Sequence, residues 1–240
     1  MISPPIADGL NEKQQQSVTL SEDINALILA GAGSGKTRVL THRIHHLVSE
    51  KNHHADDILA VTFTNKAANE MKERLSDLLR QPVERMWFGT FHSIAHRILR
   101  AHAVEANLTP TFQILDAADQ KSIIKRLMKE NGVDETKFPI KQVQWFINQQ
   151  KDEGISPHEI DAGYNFFVKQ SAKVFDLYEK HCQANDLVDF AGLLVKSYEL
   201  LKNNQNLLGH YQKKFKHILV DEFQDTNRIQ YQFIKILHNE

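Results

Sequence analysis

The chain has little that would cross-link it or anchor it in a bilayer. A single cysteine, Cys182, among 240 residues excludes an internal disulfide and fits a reducing compartment, where a buried or idle thiol is its expected state. The longest apolar run, Ala26–Ala30, continues into glycines and falls far short of the roughly 20 residues of a membrane helix. Residues 1–9 carry neither a basic cluster nor a long apolar stretch, so no secretory leader is expected, and the expected location is cytoplasmic with no membrane partner. Charge of one sign is also missing. The 29 Lys and Arg against 30 Asp and Glu leave a net charge of -1, which excludes a globally basic footprint and makes any nucleic-acid contact local. Internal repeats and low-complexity tracts are absent as well.

What is present suffices for one large domain or two small ones, with 41% apolar and 25% charged residues. Ala26–Ala30, Ile58–Phe63 and Met86–Phe88 read as strands, and their spacing predicts parallel βαβ units. The intervening helices rest on apolar faces, Leu40, Ile44, Leu47 and Val48 in one and Met71, Leu75, Leu78 and Leu79 in the other. From about residue 91 to 214 the pattern turns almost wholly helical, with Pro139, Gly154, Pro157 and Gly163 marking turns. Between Thr111 and Lys214 this segment holds 14 basic and 14 acidic residues, so a wholly basic clamp is excluded. Trp145 and Phe146 read as core. A last strand is expected at His217–Val220, followed by a helix from Asn227.

The sharpest signal is Ala30–Thr37, AGAGSGKT, between an apolar run and a helix. Gly31, Gly33 and Gly35, with Ala32 and Ser34 between them, let successive backbone N–H groups converge on phosphate oxygens at a helix start. Lys36 would reach the β and γ phosphates, and the Thr37 hydroxyl would ligate Mg2+. Ala30 stands where the strict pattern has glycine, a small residue that keeps the turn feasible. Ile218-Leu219-Val220 then runs into Asp221-Glu222, an apolar strand ending in two carboxylates. Asp221 is placed to hold Mg2+ and Glu222 to take a proton from the attacking water. The bland reading of each part is a glycine-rich turn with an exposed lysine and an acidic strand end capping the next helix. Together they favour ATP with Mg2+ as cofactors.

Six segments in order, Leu10-Asn11 with Gln14, AGAGSGKTRVL from Ala30, VTFTNKAANEM from Val61, GTFHSIAHRILR from Gly89, LVDFAGLL from Leu187 and ILVDEFQDTNRIQ from Ile218, resemble superfamily 1 DNA helicases of the UvrD, Rep and PcrA group. The resemblance covers nearly the whole chain. It implies a RecA-like P-loop NTPase α/β fold, an incomplete parallel sheet with a mostly helical inserted subdomain. Residues 1–90 would be the first part of the ATP-binding domain, 91–214 the insertion, and 215–240 the return. It further implies that Gln14 recognises adenine, that Arg38 lies against the adenine face, and that Gln224 couples nucleotide state to neighbouring groups. Single-stranded DNA would be contacted by Phe63, Thr64 and Asn65 and by Thr90, Phe91 and His92, with stacking on an aromatic and phosphates held by hydroxyls and helix N-termini. On residues alone Phe63 reads as core and Thr64, Asn65 and Thr90 as helix caps. Asp189 reads as an N-cap. His42, His45 and His46, and the His92/His96 pair, read as surface or packed histidines, since none brackets the Glu of an HExxH metal motif.

Members of that group continue into a second RecA-like domain that completes the γ-phosphate site, and their next strand lies between the two strands that carry the phosphate loop and the acidic pair. The resemblance therefore implies the ATP-binding part of a 3′-5′ DNA helicase acting in repair and replication on single strands and single/double-strand junctions. Repair proteins and the missing C-terminal helicase domain are its expected partners. Alone, the chain is expected to bind Mg-ATP weakly and not to unwind. The alternative is a non-catalytic nucleotide- or DNA-binding module that functions as a short form. An unrelated small-molecule kinase ranks last, because it leaves Phe63 and His92 without a role.

Overall fold

A computed structural model describes residues 9–31, 33–80, 83 and 86–238. In chain order the elements are helices α1 (Glu12–Val18) and α2 (Lys36–Ser49), strand β1 (Ile58–Thr62), α3 (Asn65–Leu79), β2 (Trp87–Thr90), α4 (Phe91–Ala101), β3 (Gln113–Leu115), α5 (Ala117–Glu130), α6 (Ile140–Asp152), α7 (Phe166–Ala184), β4 (Leu187–Asp189), α8 (Phe190–Asn203), α9 (Gln205–Lys214), β5 (His217–Val220) and α10 (Arg228–Leu237). This is a mixed α/β chain with short parallel sheets, dominated by helix. It divides into two compact units, one of residues 1–94, 209–225 and 237–240, the other of 95–208 and 226–236.

The first unit is built on a three-stranded parallel sheet in the order β2-β1-β5. The central strand, Ile-Leu-Ala-Val-Thr, is buried at every position, which explains its unbroken apolar sequence: a parallel strand covered on both faces has no solvent side to mark with polar residues. Ala60 lies opposite Phe88 on one side and Leu219 on the other. Ile44 and Leu47 of α2 and Met71 and Leu75 of α3 close over Ile58, Ala60 and Phe88. Burying such side chains contributes about 1.5–3 kcal/mol each.

One expected strand is absent. Ala26–Ala30 is apolar but forms no strand among the described residues, and Leu27 and Leu29 are 65% and 84% exposed. A strand exists only when a neighbour accepts its backbone bonds, and the sheet ends at β5 without pairing with this run.

The second unit holds α5, α6 and α7 around Ile124, Met128, Val143, Ile147, Val174, Phe175 and Tyr178. It is not purely helical, since β3 and β4 pair in parallel with Gln113 opposite Leu187. Phe146 is core at 6% exposure, but its neighbour Trp145 is 64% exposed because Val143, Phe146 and Ile147 take the buried face of α6 and leave position 145 outside. Cys182 is buried as expected. Thr226–Ile236 clusters with this unit. Asn227 donates to Asp152 Oδ1 at 2.9 Å, and a side chain on Gly154 would press on Gln232 and Ile229.

Candidate nucleotide site

The phosphate loop is set by two glycines with left-handed backbone, Gly33 at φ 74° and Gly35 at φ 84°. Gly35 is the N-cap of α2, and a Cβ there would come within 2.9 Å of Gln14 Nε2. The left-handed conformation favours glycine there, and a larger residue would also displace the Gln14 amide. The first turn of α2 contains no acidic residue, so its N–H groups and positive dipole end are open to an anion. Ala32 lies outside the described residues. Ala30, Gly31, Gly33 and Ser34 are exposed.

Lys36 donates to the carbonyls of Ala30 (3.1 Å) and Gly31 (3.4 Å), and its Nζ lies 3.9 Å from Glu222 Oε2. The ammonium thus occupies the concavity of its own loop, bound to neutral oxygens that a phosphate would outcompete. Thr37 donates to Asp221 Oδ2 at 3.4 Å across 184 residues of sequence. The acidic pair follows β5, whose partner β1 fixes its height: the Asp221 N–H donates to Val61 O at 2.9 Å. Glu222 adopts φ 50°, a left-handed conformation costing a non-glycine residue about 1–2 kcal/mol. Gln224 Nε2 donates to its Oε2 at 2.6 Å. Burial, then the neighbouring Glu222, push the Asp221 carboxyl above its ordinary value. Two carboxylates with so little compensation, beside a hydroxyl, are a donor set that fits a hard divalent cation.

Gln14 donates through Nε2 to Ser34 O at 2.9 Å, while its Oε1 accepts from the Asn11 N–H at 2.9 Å within a reciprocal cap of α1. Its amide therefore ties α1 to the phosphate loop. The acceptor is a main-chain atom, so no residue pattern reveals it. The Arg38 side chain rests against Gly9.

The residues expected to meet DNA cluster at the ends of β1 and β2. Phe63 is half-buried and packs edge-on against Phe91, with ring centroids 5.4 Å apart. Phe91 is 1% exposed and backs Phe63 without offering a face of its own. Thr64 Oγ1 accepts from the Ala67 N–H at 3.1 Å and Thr90 Oγ1 from the Ser93 N–H at 3.2 Å. Both hydroxyls thus cap helices, while Asn65 is exposed. Burial lowers the His92 imidazole below its usual range, so at neutral pH it is an uncharged hydrogen-bonding group.

Residues 10–240 match the family model of the UvrD/REP helicase N-terminal domain. DNA helicase II of Escherichia coli (strain K12) is 50% identical over 232 residues, 97% of this chain and 32% of that protein. DNA helicase II of Salmonella typhimurium is 50% identical with the same coverage. The ATP-dependent DNA helicase PcrA of Bacillus subtilis is 42% identical over 238 residues, 98% of this chain and 32% of that protein. The chain thus spans about a third of the length of the curated relatives it matches. No helix among the described residues is long and apolar enough to cross a membrane.

Proposed function

The chain belongs to the UvrD/REP helicase family, and from that membership we propose that it is the ATP-binding N-terminal part of a 3′-5′ DNA helicase working on single-stranded DNA and its junctions in repair and replication. The observation that carries this reading is the approach of the Lys36-Thr37 helix start to the Asp221-Glu222 strand end, at 3.9 Å and 3.4 Å. Residues 1–90 and 215–240 would form the nucleotide-binding domain and 91–214 its insertion.

In this reading the α2 N-terminus and the loop N–H groups take the phosphates, Lys36 leaves the Ala30 and Gly31 carbonyls for them, and Thr37 with Asp221 holds Mg2+. When bound, Mg2+ neutralises phosphate charge. Glu222 accepts the proton of the attacking water, and Gln224, already bonded to Glu222, ties that carboxylate's position to the turn after it. Gln14 and Arg38 exchange their present contacts for adenine. Phe63 offers a base a partly exposed ring, and the helix starts at Asn65 and Phe91 face phosphates. The exposed Ala26–Ala30 run is what a further strand beside β5 would pair with, and a second domain would supply the charges that complete the γ-phosphate site. Such charges contribute about 10³- to 10⁵-fold in related NTPases, so this chain alone should turn over little and unwind nothing.

The test is ATP hydrolysis with and without single-stranded DNA by this chain, by its Lys36→Ala variant, and by the chain joined to the C-terminal two thirds its relatives possess. DNA-stimulated turnover confined to the longer protein and abolished by Lys36→Ala is expected. Brisk DNA-dependent turnover by the 240 residues alone would overturn the need for a second domain. Tight DNA or nucleotide binding with no turnover in either length would favour a non-catalytic binding module.

A further inference from the structure

At the end of β5 opposite the nucleotide site, three side chains from separate stretches of chain converge. His53 Nε2 lies 2.5 Å from Glu22 Oε2 and 3.1 Å from His217 Nε2, and His217 Nε2 lies 3.8 Å from the same Glu22 oxygen. The imidazole rings meet edge to face, with centroids 4.4 Å apart. All three side chains are partly shielded, at 29%, 18% and 12% exposure for Glu22, His53 and His217. Nothing in the sequence links them, since 31 and 164 residues separate the partners of His53.

Hydrogen bonding serves this arrangement poorly. His53 Nε2 carries either one proton or one lone pair, yet it has an anionic oxygen and a second imidazole nitrogen within bonding distance. A proton directed at Glu22 leaves His217 facing a nitrogen with nothing to offer it. A divalent ion between the three atoms would accept a lone pair from each. In a tetrahedral site with Zn–N and Zn–O bonds near 2.0–2.2 Å, ligand atoms stand roughly 3.3–3.5 Å apart; the separations of 2.5, 3.1 and 3.8 Å scatter about that range, and an ion would part Glu22 from His53 as it draws His217 in.

We propose that Glu22, His53 and His217 form a transition-metal site of the Zn2+ class, distinct in place and chemistry from the Mg2+ of the nucleotide site. Two imidazoles and one carboxylate suit Zn2+, Co2+ or Ni2+ and disfavour Mg2+, which takes oxygen ligands. Three protein ligands leave a fourth position for water. Positive neighbours oppose the ion and limit its affinity. Lys51 Nζ is 3.6 Å from Glu22 Oε1. The Arg43 guanidinium nearby is committed to the carbonyls of Val18 and Leu20 at 2.9 Å and 2.6 Å, and Lys216 is paired with Asp57 at 2.7 Å. The Arg43 bonds also fix the backbone that presents Glu22. A bound ion would clip the segment entering the phosphate loop and the turn after α2 to the start of the strand that ends in Asp221, a staple that stabilises the first unit without touching nucleotide.

The test is titration of the metal-stripped 240-residue chain with Zn2+ and with Co2+ in excess Mg2+. Binding is followed by calorimetry, thermal unfolding and the visible spectrum of Co2+. One saturable equivalent, a raised Tm and the intense visible bands of four-coordinate Co2+ are expected. His53→Gln and His217→Gln should each weaken binding by roughly 100-fold or more, given that even outer-shell losses cost 10–100-fold. The exposed His158→Gln should change nothing. Glu22→Gln, which keeps the shape of the side chain, makes the same test should a histidine variant fold poorly. Absence of saturable binding, or binding indifferent to all three ligand substitutions, overturns the site.

Discussion

Asp189 ends one short parallel strand and Asp221 follows another, and both are nearly equally buried, at 4% and 6% exposure, yet one is complete and the other is not. Asp189 Oδ2 accepts from Lys151 and Tyr178 at 2.7 Å each and from Gln120 at 3.0 Å, while Oδ1 caps α8 through the Gly192 N–H at 2.7 Å. Lys151 also meets Glu179 at 2.6 Å. Asp221 has the Glu222 N–H, a long contact from Thr37 and the more distant Lys36 charge, set against an acidic neighbour, and these do not offset its burial. Burial pushes both carboxyls upward. At Asp189 the Lys151 ammonium overrides burial and holds the group below its ordinary value, whereas at Asp221 Glu222 adds to it. Burial alone would likewise depress the Lys151 ammonium, but Asp189 and Glu179 reverse the direction and raise it. A buried charge closed by its own protein is costly to disrupt, whereas one left open keeps room for a ligand.

The largest test of this contrast is Lys151→Met. Removing one member of a buried pair strands the other, at a cost of about 3–5 kcal/mol, read by urea unfolding. The pH dependence follows from the directions of shift. The Asp189 contribution is fully present above the unfolded carboxylate value near 3.9 and lost as pH falls through its depressed folded value. The Lys151 contribution is present below the unfolded lysine value near 10.4 and lost only as pH rises through its raised folded value. Without Lys151, burial raises the Asp189 carboxyl above its ordinary value, so the loss in Lys151→Met should be greatest at neutral pH and shrink as pH falls through that raised value toward about 3.9. A loss under about 1 kcal/mol would erase the distinction between the two aspartates.

Lys36→Ala is the counterpart on the open side. On the proposed function it removes charge-assisted bonds to phosphate worth about 1.5–3 kcal/mol, a weakening of roughly 10- to 100-fold in nucleotide binding. The ligand-free chain gives up bonds to the Ala30 and Gly31 carbonyls and a long, partly exposed contact with Glu222, so its unfolding midpoint should move little. An unfolding loss as large as the binding loss would make the loop lysine structural.

How far each region could be read from sequence follows from the same difference. The Ala30–Thr37 motif is legible because its signal is local: Gly35 takes a left-handed φ that glycine favours, and Lys36 and Thr37 follow at fixed spacing. The N-cap role of Asp189 is equally local, three residues from Gly192. Its bonds to Lys151 and Gln120 span 38 and 69 residues, and no periodicity reports them. The β3 and β4 strands, three residues each, are too short for a pattern and exist through each other. The apolar run at Ala26–Ala30 misleads for the converse reason: hydrophobicity was legible, but the neighbour that makes a strand is not a property of the segment. Trp145 fails by helical phase, one position off the buried face of α6.

Asp221→Asn sharpens the contrast with a change of sign. Its folded value is raised, so protonation favours the fold. That stabilisation is complete below the unfolded value near 3.9 and disappears as pH rises through the raised folded value. At neutral pH the ionised group sits beside Glu222 at a cost, and Asn should relieve up to about 1 kcal/mol in the ligand-free chain. On the proposed function, Mg-nucleotide should raise the Tm of the parent chain, and this variant should lose that increase. Destabilisation of the ligand-free chain would mean that Thr37 and Lys36 already compensate Asp221.

The smallest expected effect isolates burial from distance. Lys180 and Asp176 on α7 form an ion pair at 2.6 Å, slightly shorter than the 2.7 Å of Lys151 and Asp189, but the two side chains are 70% and 48% exposed. Water competes for both charges, and holding two long side chains costs rotamer entropy. Lys180→Met should therefore cost no more than about 0.5 kcal/mol, and less in high salt. Measured beside Lys151→Met in the same unfolding series, it compares two pairs of nearly equal length within one unit. If both variants lost several kcal/mol, contact length would be the governing quantity, and the low exposure of Asp189 would explain nothing about its worth to the fold.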